Sequence, residues 1–340
     1  MKRKNLQQAV VLGVVLASFG SCVWAEEINN HKDGGVFVGY DYKHSYSVDY
    51  YYPDYINNNL KSDVEINNFG IFVNVTNSDK CADKNKVDIK TDGILSINLN
   101  EKHDSKTVGA VTIENLNADY ATSITLDAKG IKISRDTSNS TTKSFSGIFL
   151  NSYSNSDSYE KADFTANVQQ GNFEIDGFEY GIIAGNNSNV IVKDADDITI
   201  NTNYAGIKIV PLWGSTSDNA ANIDLNGNNI NFYNDSSNNY GILVKQNSGK
   251  IDLNAKNDIS FVNRNGIGYT AIEASNNHLE GQTGSGITLS ADNNVVIDNF
   301  ETGILNDESE MISVTGGNRT LRFGQTEKQK NRHRFYWWTI

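Results

Sequence analysis

Ile223-Asp224-Leu225 followed by Ile230-Asn231-Phe232, then Ile251-Asp252-Leu253 followed by Ile259-Ser260-Phe261, is the stretch that decides how this chain folds. In each piece the apolar residues stand at i and i+2, the period of a strand with one buried and one wet face. The pair of pieces returns after about 30 residues, and repeats of that length mark solenoids and propellers. A third piece completes each cycle: a glycine, an isoleucine and further alternation, seen at Gly181-Ile182, Gly206-Ile207, Gly241-Ile242, Gly266-Ile267, Gly286-Ile287 and Gly303-Ile304. Three strands per turn are therefore expected between Tyr180 and Asn306.

Propeller blades carry four strands joined by tight hairpins, whereas Asn-Gly and Asp-Gly signals are sparse here and the pieces are unevenly spaced. The expected fold is all-β: a right-handed parallel β-helix, a pectate-lyase-like solenoid with three strands per turn. Each strand would then lie about 4.8 Å from its counterpart one turn later. Asn crowds the junctions (Asn186, Asn187, Asn189; Asn226, Asn228, Asn229; Asn238, Asn239; Asn276, Asn277; Asn293, Asn294). Asn tolerates left-handed backbone and bonds locally, and stacked Asn side chains form amide ladders.

The chain has 340 residues, 38% of them hydrophobic and 21% charged, with a net charge of −12. A modest apolar share suits an elongated coil with a narrow core. The acidic balance gives no electrostatic reason to bind nucleic acid, and basic nucleic-acid motifs are lacking. Cys22 and Cys81 are the whole thiol inventory, so no disulfide framework is expected.

Residues 1–25 read as a secretory signal peptide. Lys2, Arg3 and Lys4 form the basic start, Ala9 to Phe19 the apolar run, and Val23-Trp24-Ala25 precedes a cut before Glu26. A competing reading makes Phe19-Gly20-Ser21-Cys22 a lipoprotein box with Cys22 lipidated. Residues 26–66 carry seven tyrosines, Tyr40, Tyr42, Tyr46, Tyr50, Tyr51, Tyr52 and Tyr55. They form either an aromatic ligand-contact surface or an N-terminal cap over the open first turn, and the cap is the preferred reading. The coil is expected over 67–323, with early turns at Ile71-Phe72-Val73, Val87-Asp88-Ile89 and Ile94 to Leu99, and about eight turns in all, on the order of 40 Å long.

Residues 324–340 abandon this pattern. Lys328, Lys330, Arg332 and Arg334 precede Phe335-Tyr336-Trp337-Trp338. This irregular basic and aromatic tail is either a membrane- or ligand-adhering segment or the product of a slipped reading frame or truncated gene; the second is preferred because a bare strand edge would otherwise remain.

Catalytic signatures are missing: no Gly-x-Ser-x-Gly elbow, no paired-His zinc motif and no phosphate-cradling loop. His31, His44, His103, His278 and His333 are scattered without ligand spacing. Asp194, Asp196 and Asp197 lack the glycine-rich nonapeptide repeat of calcium-binding coils and are read as a solvated corner. The serious rival is a secreted polysaccharide lyase or glycoside hydrolase, which needs paired carboxylates on a strand face. Asn201-Thr202-Asn203 lacks the carboxylate of the pectin-hydrolase pattern, Asp196-Asp197 precedes it, and Lys208 stands without an Arg two residues before it. No enzymatic activity, cofactor or metal is expected.

With its leader, its acidic Asn- and Gly-rich repeats and almost no cysteine, the chain resembles the passenger domain of a type V autotransporter of Gram-negative bacteria. The resemblance covers residues 1 to about 323 and rests on architecture. It implies export across the inner membrane, passage through outer-membrane translocation machinery and display at the cell surface, as an adhesin-like monomer that contacts cell-surface glycans or proteins. The alternating strands of a membrane barrel, which that family carries, are missing from this sequence. That makes it resemble a truncated member, resident in the periplasm if the barrel is truly absent.

Overall fold

The computed structural model describes residues 26–28, 35–41, 50–52, 54–68, 70–75, 85–99, 109–115, 121–135, 145–152, 161–185, 187–210, 221–245, 249–275, 286–307 and 311–323. Among them there is no helix, and the protein is all-β. The strands align in three parallel ladders, A, B and C, which the chain visits in turn. Ladder A stacks Tyr55–Leu60, Lys86–Thr91, Thr122–Ala128 and Ala162–Val168, then the starts of Ser188–Ile209 and Ala221–Asn234, and then Gly249–Ala255. Ladder B stacks Val64–Asn68, Ile94–Leu99, Gly130–Arg135 and the start of Phe173–Ala184 before continuing to Asp258–Asn263. Ladder C stacks Val36–Asp41, Ile71–Val75, Gly109–Asn115, Ser146–Ser152 and the end of Phe173–Ala184, and reaches Tyr240–Lys245 and Gly268–Ser275. Gly286–Asp307 extends all three ladders, and Met311–Phe323 then extends A and B.

The inward residues stack like on like. Ile182, Ile207, Ile242, Ile272 and Ile304 are successive register partners in ladder C, and the first four are fully buried. Thus Ile207 lies in the layer beside Ile242, as the repeat requires. In ladder B, Phe232 stacks on Phe261 with ring centroids 4.8 Å apart and planes 5° from parallel. The dry interior is built from such columns, each strand contributing alternate side chains.

The recurring glycine has a steric cause. A Cβ on Gly206 would overlap the Phe232 ring edge and stand 2.8 Å from the Gly241 carbonyl oxygen; one on Gly241 would overlap Phe261 and stand 2.6 Å from the Ala271 carbonyl oxygen. Two of the six phrases, however, play other parts. Gly266 (φ +94) is a corner with open space around it, and the ladder C partner of Ile242 is Ile272, not Ile267. Gly286-Ile287 belongs to ladder A, where Ile287 partners Ile251. A glycine-isoleucine pair alone does not distinguish a strand start from a turn.

The Asn clusters act mainly through their side chains. Only Asn187, Asp194 and Asn299 among the described non-glycine residues take positive φ. Elsewhere amides link layers: Asn229 donates to Asp197 at 2.7 Å, Asn228 to Asp196 at 3.1 Å, Asn294 to Asp258 at 2.7 Å and Asn222 to Asn189 at 3.1 Å. At the corner between ladders B and C a buried row forms from Thr202, Asn234 and Asn263, which are register partners. Asn234 Nδ2 donates to Thr202 Oγ1 at 3.1 Å, and Asn263 Nδ2 to the Ser236 carbonyl at 2.7 Å and to Asn239 Oδ1 at 3.2 Å. Asn263→Ala removes those bonds and leaves Asn239 Oδ1 short of a donor. It is expected to cost about 1 kcal/mol, read by chemical denaturation.

Two expectations need correction. The ladders reach back beyond Asn67: Val36–Asp41 lies parallel to Ile71–Val75, and Tyr55–Leu60 to Lys86–Thr91, so a further turn precedes the expected start. Tyr55–Leu60 holds Asn57, Asn58 and Asn59 where apolar alternation would mark a strand, so its residues carry no cue for one. Tyr50–Tyr52 does pair antiparallel with the outermost strand, Val36–Asp41, and so occupies an edge left open to water or to another chain. The outer side of ladder C is also not wet. Phe72, Thr112, Phe149 and Leu243 point away from the main core yet are buried, and Ser146–Ser152 is buried along its whole length. Along Ser146–Ser152 both faces of the ladder exclude water, as in sheets covered on both sides, whereas at Lys208 and Leu305 solvent reaches the outer side.

Candidate functional site

Of the seven tyrosines read as either a cap or a ligand-contact surface, Tyr42 and Tyr46 lie outside the described residues, as do the cleavage position Ala25, Cys22, the five histidines and the 324–340 tail. Tyr40 pairs with Tyr51 and Tyr50 with Asp41 across the antiparallel edge, where Tyr52 faces Gly39. Tyr55 is half-buried and packs against the core.

A different set of tyrosines comes together. Tyr180, Tyr204, Tyr240 and Tyr269 form a continuous ladder at the entry to ladder C, one ring per layer. Their centroids are 5.2, 5.5 and 5.7 Å apart, and successive rings meet at 63°, 58° and 76°, the edge-to-face geometry that aromatic quadrupoles prefer. Tyr269 is 45% exposed, and the other three are half-buried. The rings stack because each occupies the same corner of its turn, just before the inward isoleucine of ladder C.

Lys208 completes the group. Its Nζ stands 4.6 Å from the centroid of the Tyr180 ring, a cation–π contact. In the outer column of ladder C it is the register partner of Ile183 on one side and Leu243 on the other, both buried. Burial among these groups holds the ammonium below its ordinary pKa, and neighbouring Lys245 lowers it further. Among the described residues Lys208 has no carboxylate partner, so its charge is kept at a desolvation cost.

Tyr240 is pushed the other way, up to about 12, first by burial and then by Glu273, Tyr204 and Tyr269. The folded chain holds this proton after the unfolded chain has lost it. The stability it contributes is therefore complete below about pH 10 and is lost as pH rises through about 12. In a spectrophotometric alkaline titration Tyr240 is expected among the last phenols to ionise, and Tyr240→Phe should remove that late step.

The residues weighed for polysaccharide cleavage are engaged otherwise. Asn201 Nδ2 donates to Asp176 at 2.6 Å, Asn201 Oδ1 accepts from Arg264 at 2.7 Å, and Thr202 lies in the buried corner row. Asp196 and Asp197 accept the Asn228 and Asn229 amides. Arg264 grips Asp235 through Nε and Nη2 at 3.0 and 2.7 Å and lies 5.0 Å over Tyr233, tying neighbouring layers together. Among the described residues no group of His, Cys, Asp or Glu could hold a metal ion.

No protein-family profile matches this chain, and no curated protein and no solved structure was found similar to it.

The tyrosine ladder escaped the sequence reading because its members fall at uneven intervals. Insertions of different length separate the turns, and one tyrosine per turn makes no local cluster. The signal that could have found it is Tyr180 and Tyr240 preceding Gly-Ile directly, with Tyr204 one residue further back.

Proposed function

We propose that this chain is an exported, non-enzymatic, adhesin-like surface protein, a passenger domain of the type V autotransporter class, wound as a right-handed parallel β-helix. Three considerations support the winding: the ladders are visited in fixed order, every return between turns is parallel, and strand–crossover–strand units of this kind are overwhelmingly right-handed. The leader at residues 1–25 supports export. The partner is a cell-surface glycan or protein, met by weak contacts repeated along the coil, so that avidity replaces affinity at any one site.

The observation that carries this reading is the one-per-layer repetition of outward side chains, most developed in Tyr180, Tyr204, Tyr240 and Tyr269. The test is adhesion of beads coated with the purified chain to cultured cells or to a bacterial lawn. Saturable adhesion, with no new reducing ends released from acidic or neutral polysaccharides, is the expected result. Release of reducing ends would transfer the chain to the polysaccharide-active class, and absence of saturable adhesion would remove the adhesin reading.

A further inference from the structure

We infer that the Tyr180, Tyr204, Tyr240 and Tyr269 ladder, together with Lys208, is a binding strip for an extended acidic polysaccharide lying along the stacking direction of the coil. The inference deepens the adhesin reading and rests on it.

The rings recur at 5.2–5.7 Å, close to the advance of one sugar in an extended chain, so successive sugars can meet successive tyrosines without strain in either partner. Tyrosine suits sugars because its ring covers the apolar C–H face while its hydroxyl bonds the sugar's edge. Tyr269, 45% exposed, offers the easiest first contact, and the other three rings are half-buried.

Charge selects the class of sugar. The whole chain carries −12, so an acidic polymer is repelled by most of its surface. Lys208, with its Nζ 4.6 Å from the Tyr180 ring centroid, is a local cation set against the ladder itself, with Lys245 near it, while the carboxylates of Glu179 and Glu273 lie near Tyr180 and Tyr240. Lys208 is wedged between Ile183 and Leu243 and has no carboxylate partner among the described residues, so it meets an incoming anion already stripped of much of its water. A sugar carboxylate bound there relieves a desolvation penalty that the free protein bears. A neutral chain gains only the ring contacts.

The experiment is isothermal titration of the full chain with a tetrameric oligogalacturonate and with a neutral tetrasaccharide of the same linkage. The acidic oligomer should bind more tightly, with affinity falling as salt rises. Lys208→Met should weaken acidic binding about tenfold and leave neutral binding unchanged, and Tyr269→Ala should weaken both about tenfold. Both variants lie on the outside of the ladders, and unchanged circular dichroism with cooperative melting verifies that they fold. Equal binding of the two oligomers, or acidic binding indifferent to both substitutions, overturns the strip assignment.

Bead adhesion separates this from the parent reading. Wild-type adhesion that persists undiminished in the Lys208→Met, Tyr269→Ala double variant sinks the strip and leaves the adhesin. Adhesion abolished by protease treatment of the target cells, and untouched by glycosidase, identifies a protein partner and also sinks it. Absence of wild-type adhesion, with oligogalacturonate binding intact, sinks the adhesin alone.

Discussion

Phe232→Ala is expected to destabilise the chain by about 3–5 kcal/mol, the cost of removing a fully buried aromatic ring that its surroundings cannot replace. Phe232 is a register partner of Ile200 on one side and Phe261 on the other, and its ring stacks on Phe261 at 4.8 Å. Strand stacking holds the layers at a fixed spacing, so neighbouring turns cannot collapse into the cavity as a loosely packed core would. Equilibrium unfolding in denaturant, followed by strand circular dichroism, gives the magnitude. A loss under 1 kcal/mol would mean that the interior is not a continuous column at this layer. The effect should be local, because in stacked repeats each turn touches only its neighbours. Hydrogen exchange should therefore rise first in the strands around Phe232 and Phe261 and least near Ile89.

Gly206→Ala carries the second large effect, about 1–3 kcal/mol, from overpacking in place of a void. The added methyl overlaps Phe232 and approaches the Gly241 carbonyl oxygen to 2.8 Å, so relief requires moving either a stacked ring or the backbone of the next turn. Gly266→Ala provides the contrast. A Cβ there meets nothing within 4 Å, so its whole cost is the strain of φ +94, about 1 kcal/mol. If the two substitutions cost the same, the close approach of Gly206 to the next turn is not the reason for glycine at that position. Combining Gly206→Ala with Phe232→Leu, which withdraws the ring edge, should recover part of the loss. Sites in contact couple in this way, whereas distant ones add.

Much of the architecture was legible in the residues. Ile223-Asp224-Leu225 and Ile251-Asp252-Leu253 predicted strands that lie beside each other in register, and Ile207 and Ile242 are partners as the repeat demanded. Those readings succeeded because burial on one face imposes a two-residue period that no other local structure reproduces. The Asn-rich junctions also predicted amide ladders; Asn222 donates to Asn189 in that way, whereas Asn228 and Asn229 donate to the carboxylates of Asp196 and Asp197. Where a piece carries little apolar signal, as in Tyr55–Leu60, nothing in the residues warns of a strand. Parallel neighbours had recruited it despite its weak pattern, a case of tertiary context overriding local preference.

The candidate site followed the opposite course. The dense tyrosines of residues 40–55 drew attention by proximity in sequence, yet Tyr55 serves the core and Tyr50–Tyr52 line an edge strand. Tyr180, Tyr204, Tyr240 and Tyr269 are far apart in the chain and adjacent in space. The sequence alone determined that strands of alternating burial would stack, because the hydrophobic period is written residue by residue. Only the tertiary structure decided which outward side chains share a column, because insertions of unequal length shift every turn's count and register is settled where one strand bonds to the next. Lys208 shows the same division: its charge is in the sequence, but its place between Ile183 and Leu243 exists only once three turns are stacked.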